Sequence, residues 1–256
     1  MDETGFYLSH SKISTYIKCP LRYKFIYVDK METQVRSYFS FGNSIHKVLE
    51  EFYNPLVTYN DLGKKPHQYL LELLDTHWIS AGYGSPYQER KAKAEAQAIL
   101  YDYCKKNINS FKPAYLVEKE FSFQLGGFEV KGRIDRIDKN DGKFAIVDYK
   151  TSSMMPKSFT EEEILQPVIY RIAAEGIIPD EADKISEVYL YFLRYQKKVN
   201  FLIDEHLIDK SKKRIIEIGN LIEKRVFYPK KNGYCSTCEF RSICPAFNEN
   251  SNKEGL

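Results

Sequence analysis

No apolar run in the sequence approaches the roughly 18–20 residues needed to cross a bilayer. Its opening stretch, MDETGFYLSHSK, is acidic and polar, where a signal peptide is basic and then apolar. The expectation is a cytoplasmic protein with no membrane partner. A G-x-x-x-x-G-K-[ST] phosphate loop is also missing, which excludes a P-loop motor within this chain. Internal repeats and low-complexity segments are absent, so a repeat architecture is excluded. Charge of one sign is scarce: 38 Lys/Arg against 35 Asp/Glu leave a net +3, too little to argue for nucleic acid on charge alone. Residues 205–232 are locally basic, yet a solvated helix face accounts for that stripe more simply than a phosphate-facing surface does. The five cysteines (Cys19, Cys104, Cys235, Cys238 and Cys244) are an odd number. In a cytosolic chain, clustered spacing points to metal rather than to a disulfide framework.

The hydrophobic patterning predicts helices over 9–27, broken at Cys19-Pro20, and over 40–53, where Ile45, Val48, Leu49 and Phe52 repeat at helical spacing. Residues 54–112 read as a helical insert, with one helix starting at Ser85-Pro86. From about 114 the period changes to two. Gly126-Gly127 and Asp141-Gly142 separate three alternating segments, which predicts three antiparallel strands joined by tight hairpins. A helix capped by Thr160 and Glu163 follows, then strands over 185–194 and 198–204 and a long helix through Val226.

The hairpins carry a chemical consequence. With two-residue turns, Asp135 faces Asp148 and Glu118 faces Asp135, a row of three carboxylates on neighbouring strands. Like charges so placed need a shared proton or a bound cation, and hard divalent ions suit such a row. Lys150 projects to the same side as Asp148, where it can direct a water or neutralise charge on a phosphate.

The segments Gly132-Arg133-Ile134-Asp135-Arg136, Val147-Asp148-Tyr149-Lys150-Thr151 and Gln166-Pro167-Val168-Ile169-Tyr170 resemble those of the PD-(D/E)XK nuclease superfamily. Phe41-Gly42-Asn43-Ser44-Ile45-His46 is similar to the histidine-bearing helix of its RecB/AddB-type branch, which includes the iron–sulfur nucleases of CRISPR adaptation. The ordered resemblance runs from about Leu8 to Phe247. It implies an α/β fold (an α+β mixed sheet) with a restriction-endonuclease-like core, as a single nuclease domain over 1–256 with its catalytic sheet at 114–204. It further implies Mg²⁺ or Mn²⁺ held by His46, Asp135, Asp148 and the carbonyl of Tyr149, with Lys150 as the catalytic lysine and Gln166 and Tyr170 on the DNA strand. Glu118, placed by the register alone, is carried as a supporting or second-metal carboxylate.

Cys235-x₂-Cys238-x₅-Cys244 supplies three thiolates, and Cys19 a remote fourth. Spacing alone leaves zinc and iron–sulfur open. The resemblance implies a [4Fe–4S] cluster, with residues 233–247 and Cys19 forming a clasp between the two ends of the chain. Cys104 reads as a packing residue. The implied activity is metal-assisted hydrolysis of DNA, as an exonuclease on single-stranded ends, in repair, recombination or CRISPR adaptation. Any unwinding would come from a helicase or other partner protein. Two alternatives stand beside it: a non-catalytic iron–sulfur or zinc DNA-binding scaffold subunit, and a zinc-stabilised protein-interaction domain.

Overall fold

The computed structural model describes residues 6–54, 56, 63–107 and 111–247. A short strand β1 (Tyr7–Leu8) leads into α1 (His10–Lys18), whose first turn is capped by the Ser9 hydroxyl accepting the Lys12 N–H. After the Cys19-Pro20 break, α2 (Pro20–Tyr23) continues as a π-helical turn, Lys24–Val28. Three longer helices follow: α3 (Ser37–Phe52), α4 (Pro66–His77) and α5 (Pro86–Asn107). The last two open on proline, where a missing N–H costs no helical bond. The strands β2 (Leu116–Leu125), β3 (Phe128–Asn140) and β4 (Lys143–Lys150) come next. The chain then forms α6 (Glu161–Ile177), β5 (Ile185–Phe192), β6 (Lys197–Asn200) and α7 (Glu205–Glu223).

Two tight turns fix the register. Asp141 and Gly142 have φ of 49° and 75°, and Gly126 and Gly127 have 58° and 88°, the left-handed pairs that two-residue hairpins require. Leu125 therefore pairs with Phe128, and Asn140 with Lys143. β2 covers one edge of β3 from Phe128 to Ile137. β1 and β4 share the other edge, β1 parallel at Glu129 and Val130 and β4 antiparallel from Arg136 to Asn140. β4 then pairs in parallel with β5, and β5 antiparallel with β6, giving a mixed six-stranded sheet.

Helices cover both faces. On one, Ile45, Val48, Leu70, Leu74 and Leu100 of α3, α4 and α5 pack on Val147, Tyr149, Tyr189 and Tyr191. On the other, Ile13, Leu165, Ile169, Ile215 and Ile218 of α1, α6 and α7 close over Val130, beside a cluster of Ile134, Ile137, Ile146 and Tyr170. The stretch expected as a helical insert thus supplies, through α3's partners α4 and α5, a layer of the core; its residues 55, 57–62 and 108–110 lie outside those described.

Three boundaries differ from the sequence expectation. α3 starts at Ser37, one turn before the periodic stripe. β6 ends at Asn200 because Asp204 is needed as the N-cap of α7, accepting the Leu207 N–H at 2.8 Å. α7 ends at Glu223, where Arg225 takes a left-handed φ of 56° and the Val226 N–H bonds the Leu221 carbonyl at 3.0 Å. That is a Schellman ending with arginine where glycine is usual. Among the described residues, no helix is long and apolar enough to cross a membrane.

Candidate active site

The site lies where β3 and β4 part. Their ladder stops at Arg136 and Val147, one residue short of the anticipated Asp135–Asp148 pair, because β4 follows β5 instead through Lys150. The Asp135 side chain bridges the opening: its Oδ2 accepts the Tyr149 N–H at 2.8 Å. The same oxygen lies 3.2 Å from His46 Nδ1. Helix α3 brings His46 in because Gly42, one turn earlier, presses against the strand end. A Cβ there would lie 3.2 Å from Thr151 Oγ1.

Glu118 joins from β2. The register brackets it opposite Asp135, since Val117 pairs with Arg136 and Lys119 with Ile134, but the pairing skips Glu118 itself. Its φ is +45°, a left-handed conformation that costs a non-glycine residue about 1–3 kcal/mol and tends to persist at functional sites. Arg133 holds its carboxylate at 3.1 Å. One ligand atom each from His46, Glu118 and Asp135 lie within 4.8 Å of one another.

Asp148 is buried, and α6 supplies its partners. Its Oδ1 accepts from Gln166 Nε2 at 2.9 Å and from the Tyr170 hydroxyl at 2.8 Å. Lys150 Nζ donates to Gln166 Oε1 at 2.6 Å and lies 2.7 Å from Asp148 Oδ2. Among the described residues, that buried Oδ2 has no hydrogen-bond donor besides this ammonium. His46, Glu118, Asp135, Asp148, Tyr149, Lys150, Gln166 and Tyr170 all line one cavity of about 1150 Å³.

The charges are tuned in opposite senses. Burial raises the Asp148 carboxyl, and neighbouring Asp135 adds to this against the pull of Lys150. Burial acts on Asp135 in the same way, but the His46 charge and hydrogen bond override it and hold that carboxyl below its usual range. Burial alone would lower His46; the Asp135 carboxylate wins and raises the imidazole to about 9. An imidazolium thus balances the carboxylates where a metal ion would otherwise do so. The His46 imidazole and the Glu118 and Asp135 carboxylates are a donor set suited to a hard divalent cation, while Asp148 is not in that group and its Oδ2 meets Lys150.

Beneath the site Arg136 is buried among tyrosines. Its guanidinium lies 3.9 Å from the Tyr53 ring centre. It donates to Tyr149 and Tyr103 hydroxyls and, at 2.9 Å, to Asp138. No pattern in the sequence announces this network.

The four cysteines expected as ligands, Cys19, Cys235, Cys238 and Cys244, line a second cavity of about 230 Å³. Lys18, Arg22, Arg36, Lys230, Lys231 and Arg241 share its wall with a single carboxylate, Glu239. That excess suits a group of thiolates. The Asn232 N–H lies 3.3 Å from Cys235 Sγ. Among the described residues, no three of these sulfurs lie within 4.8 Å of one another, whereas one tetrahedral zinc would draw them to roughly 3.8 Å. The cysteines share this cavity, but the structure does not gather them into a metal-ligand group. Cys104 is buried in the core of the helical layer, away from this cavity.

The PD-(D/E)XK nuclease superfamily profile matches residues 7–245. The chain belongs to this superfamily. Nucleases of the superfamily use divalent metals, and in this PD-(D/E)XK protein the His46, Glu118 and Asp135 set is able to hold one. The Gene 69 protein of Mycobacterium phage L5 is 23% identical over 289 residues, covering 93% of this nuclease and 96% of that protein. The crystal structure of a candidate exonuclease from Eubacterium rectale shares the fold, with a TM-score of 0.54 and 11% identity over 93% of this chain and 87% of that one.

Proposed function

We propose that this nuclease is a Mg²⁺- or Mn²⁺-dependent deoxyribonuclease acting as an exonuclease on single-stranded ends. The observation that carries the reading is the joint placement of Asp135, Asp148 and Lys150 in one cleft with His46, Glu118, Gln166 and Tyr170. His46, Glu118, Asp135 and Asp148 would hold the cation, with the Tyr149 carbonyl beside them. When bound, the cation makes the phosphodiester more electrophilic and offsets charge gained in the transition state. Asp135 also fixes the main chain of Tyr149 through its N–H.

Gln166 and Asp148 hold the Lys150 ammonium from two sides. An ammonium has three donors, and the third is available to orient the attacking water. Water oxygen bonds to phosphorus as its proton passes to solvent, the bond to the leaving oxygen breaks, and that oxygen takes up a proton from solvent. Gln166 and Tyr170, carried together on α6, keep Asp148 Oδ1 occupied, so that Oδ2, which meets Lys150, would be the oxygen shared with the cation.

In this reading the four-cysteine cavity holds a [4Fe–4S] cluster that ties Cys19 to the 233–247 segment. The protein acts in the cytoplasm, in repair, recombination or CRISPR adaptation, with a helicase or other partner delivering ends. The test is cleavage of 5′- and 3′-labelled single-stranded DNA by anaerobically purified protein, beside Asp148→Ala and Lys150→Ala. Loss of cleavage in folded variants supports the reading, and absorbance near 400 nm with bound iron supports the cluster. Wild type that binds DNA but cuts it with neither metal overturns the nuclease assignment.

A further inference from the structure

Tyr38 and Phe39 are 58% and 56% exposed, adjacent aromatics on the first turn of a helix whose later residues are mostly buried. Their ring centres are 4.4 Å apart and tilted by 44°. Both residues line the catalytic cleft and also the cysteine cavity, so they form the lip between the two. Two large aromatics left in solvent side by side mark a contact surface.

The surface is held in place. Ile45, Val48, Leu49 and Phe52 anchor the rest of α3 in the core. The Phe39 N–H bonds the Arg36 carbonyl at 2.9 Å, and the Arg36 guanidinium donates to the Thr237 carbonyl at 2.8 Å. Gly82, at φ +83°, abuts the same stretch; a Cβ there would come within 2.8 Å of the Arg36 and Ser37 backbone. From this pair to His46 the helix rises about 11 Å, the length of roughly three stacked nucleotides.

We propose that Tyr38 and Phe39 are a stacking platform for unpaired bases of the strand whose backbone enters the catalytic cleft. The proposal rests on the nucleic-acid reading above and adds residues outside the catalytic set. Cations flank the pair on both sides: Lys47, Arg133 and Arg194 in the cleft, each also paired with a carboxylate, and Lys230 and Lys231 in the second cavity. Aromatic rings interleaved with cations are the composition of single-strand sites, where ring faces hold any base without reading it. Against an apolar protein partner such a basic border would be desolvated without return.

The test compares wild type, the double variant Tyr38→Leu/Phe39→Leu and the single variant Tyr38→Phe. Affinity for a fluorescein-labelled 12-nucleotide single strand is read by anisotropy in EDTA, and stacking by quenching of 2-aminopurine placed along the strand. Hydrolysis of bis(4-nitrophenyl) phosphate, too small to span the distance, is read in Mn²⁺. The leucine pair keeps apolar bulk, so its expected loss of at least about tenfold in affinity reports stacking. Quenching disappears in the same variant, Tyr38→Phe retains both signals, and the small diester is hydrolysed at the wild-type rate. Strand affinity and quenching unchanged in the leucine pair overturn the platform and leave a protein-docking surface, as does a wild type that binds no single strand. A wild type whose strand binding depends on the pair but which hydrolyses neither substrate keeps the platform and removes the nuclease reading.

Discussion

The Tyr149 N–H donates to Asp135 Oδ2 at 2.8 Å across the gap where two paired strands separate. A side chain replaces a main-chain partner there, and the carboxylate that does so also faces His46. Structure and charge at the site therefore separate on substitution. Asp135→Asn keeps an acceptor for the Tyr149 amide and removes the charge. The expected outcome is a thermal midpoint near wild type with Mn²⁺ affinity reduced at least about tenfold, measured by calorimetry. Equal Mn²⁺ affinity in the two proteins would remove Asp135 from the metal site.

His46 gives the metal-free protein a pH signature. Its imidazole is raised to about 9 from the ordinary 6.5 by the facing Asp135. A raised cationic group contributes stability that is complete below the unfolded value and lost as pH climbs through the folded one. Metal-free protein should therefore lose stability between about pH 6.5 and 9, and His46→Gln should flatten that slope. Because a metal ion needs the neutral imidazole, Mn²⁺ binding near pH 7.5 should release about one proton. Calorimetry in buffers of different ionisation enthalpy counts it, and zero release contradicts the assignment of His46.

Tyr170 donates to Asp148 Oδ1 at 2.8 Å and receives the Gln166 amide at 2.8 Å. Tyr170→Phe leaves the ring in place and removes the hydroxyl. Cleavage should fall by about 10–100-fold, as for other outer partners of metal-holding carboxylates, with little change in denaturant midpoint. An unchanged rate would reduce the hydroxyl to packing.

Arg136 is the buried charge with most to lose. Asp138 and the hydroxyls of Tyr103 and Tyr149 depend on its guanidinium. Arg136→Met should destabilise the fold by about 3–5 kcal/mol in urea denaturation, since it takes the cation from the Asp138 carboxylate and leaves the Tyr53, Tyr103 and Tyr149 hydroxyls only one another. Arg136→Lys should not rescue it, because an ammonium cannot reproduce the planar fork or lie flat on Tyr53.

How much of this was legible follows from the range of the signals. Asp141-Gly142 and Gly126-Gly127 are local, so the register they dictate is the one observed, and the Thr160–Glu163 capping box forms as its spacing requires. That register brought Glu118 beside Asp135, where it joins the gathered ligand atoms more closely than a supporting role suggests. The halt of the β3–β4 ladder was not legible, because it depends on β5 competing for β4. Nor was the Arg136 network, whose Tyr53, Tyr103, Tyr149 and Tyr189 come from elements far apart in sequence and carry no shared pattern. Arg225 at a left-handed helix end has no signal either, since only glycine advertises that position.

Helices α1 and α2 are sewn to the segment after α7 by the Tyr16 hydroxyl on the Val226 carbonyl, the Leu21 N–H on the Tyr228 carbonyl and the Asn232 amide on the Lys18 carbonyl. On the ribosome this fixes an order of events. The first helix emerges some 210 residues ahead of the segment that completes its hydrogen bonds, which at usual synthesis speeds is a delay of about 10–40 s. Through that interval Tyr16 and Tyr23 lack the Phe227 ring they pack against, and the wall that 229–247 gives the cysteine cavity does not yet exist. A nascent chain of this protein can assemble its sheet and gather its carboxylates while α1 and the segment after α7 are still apart.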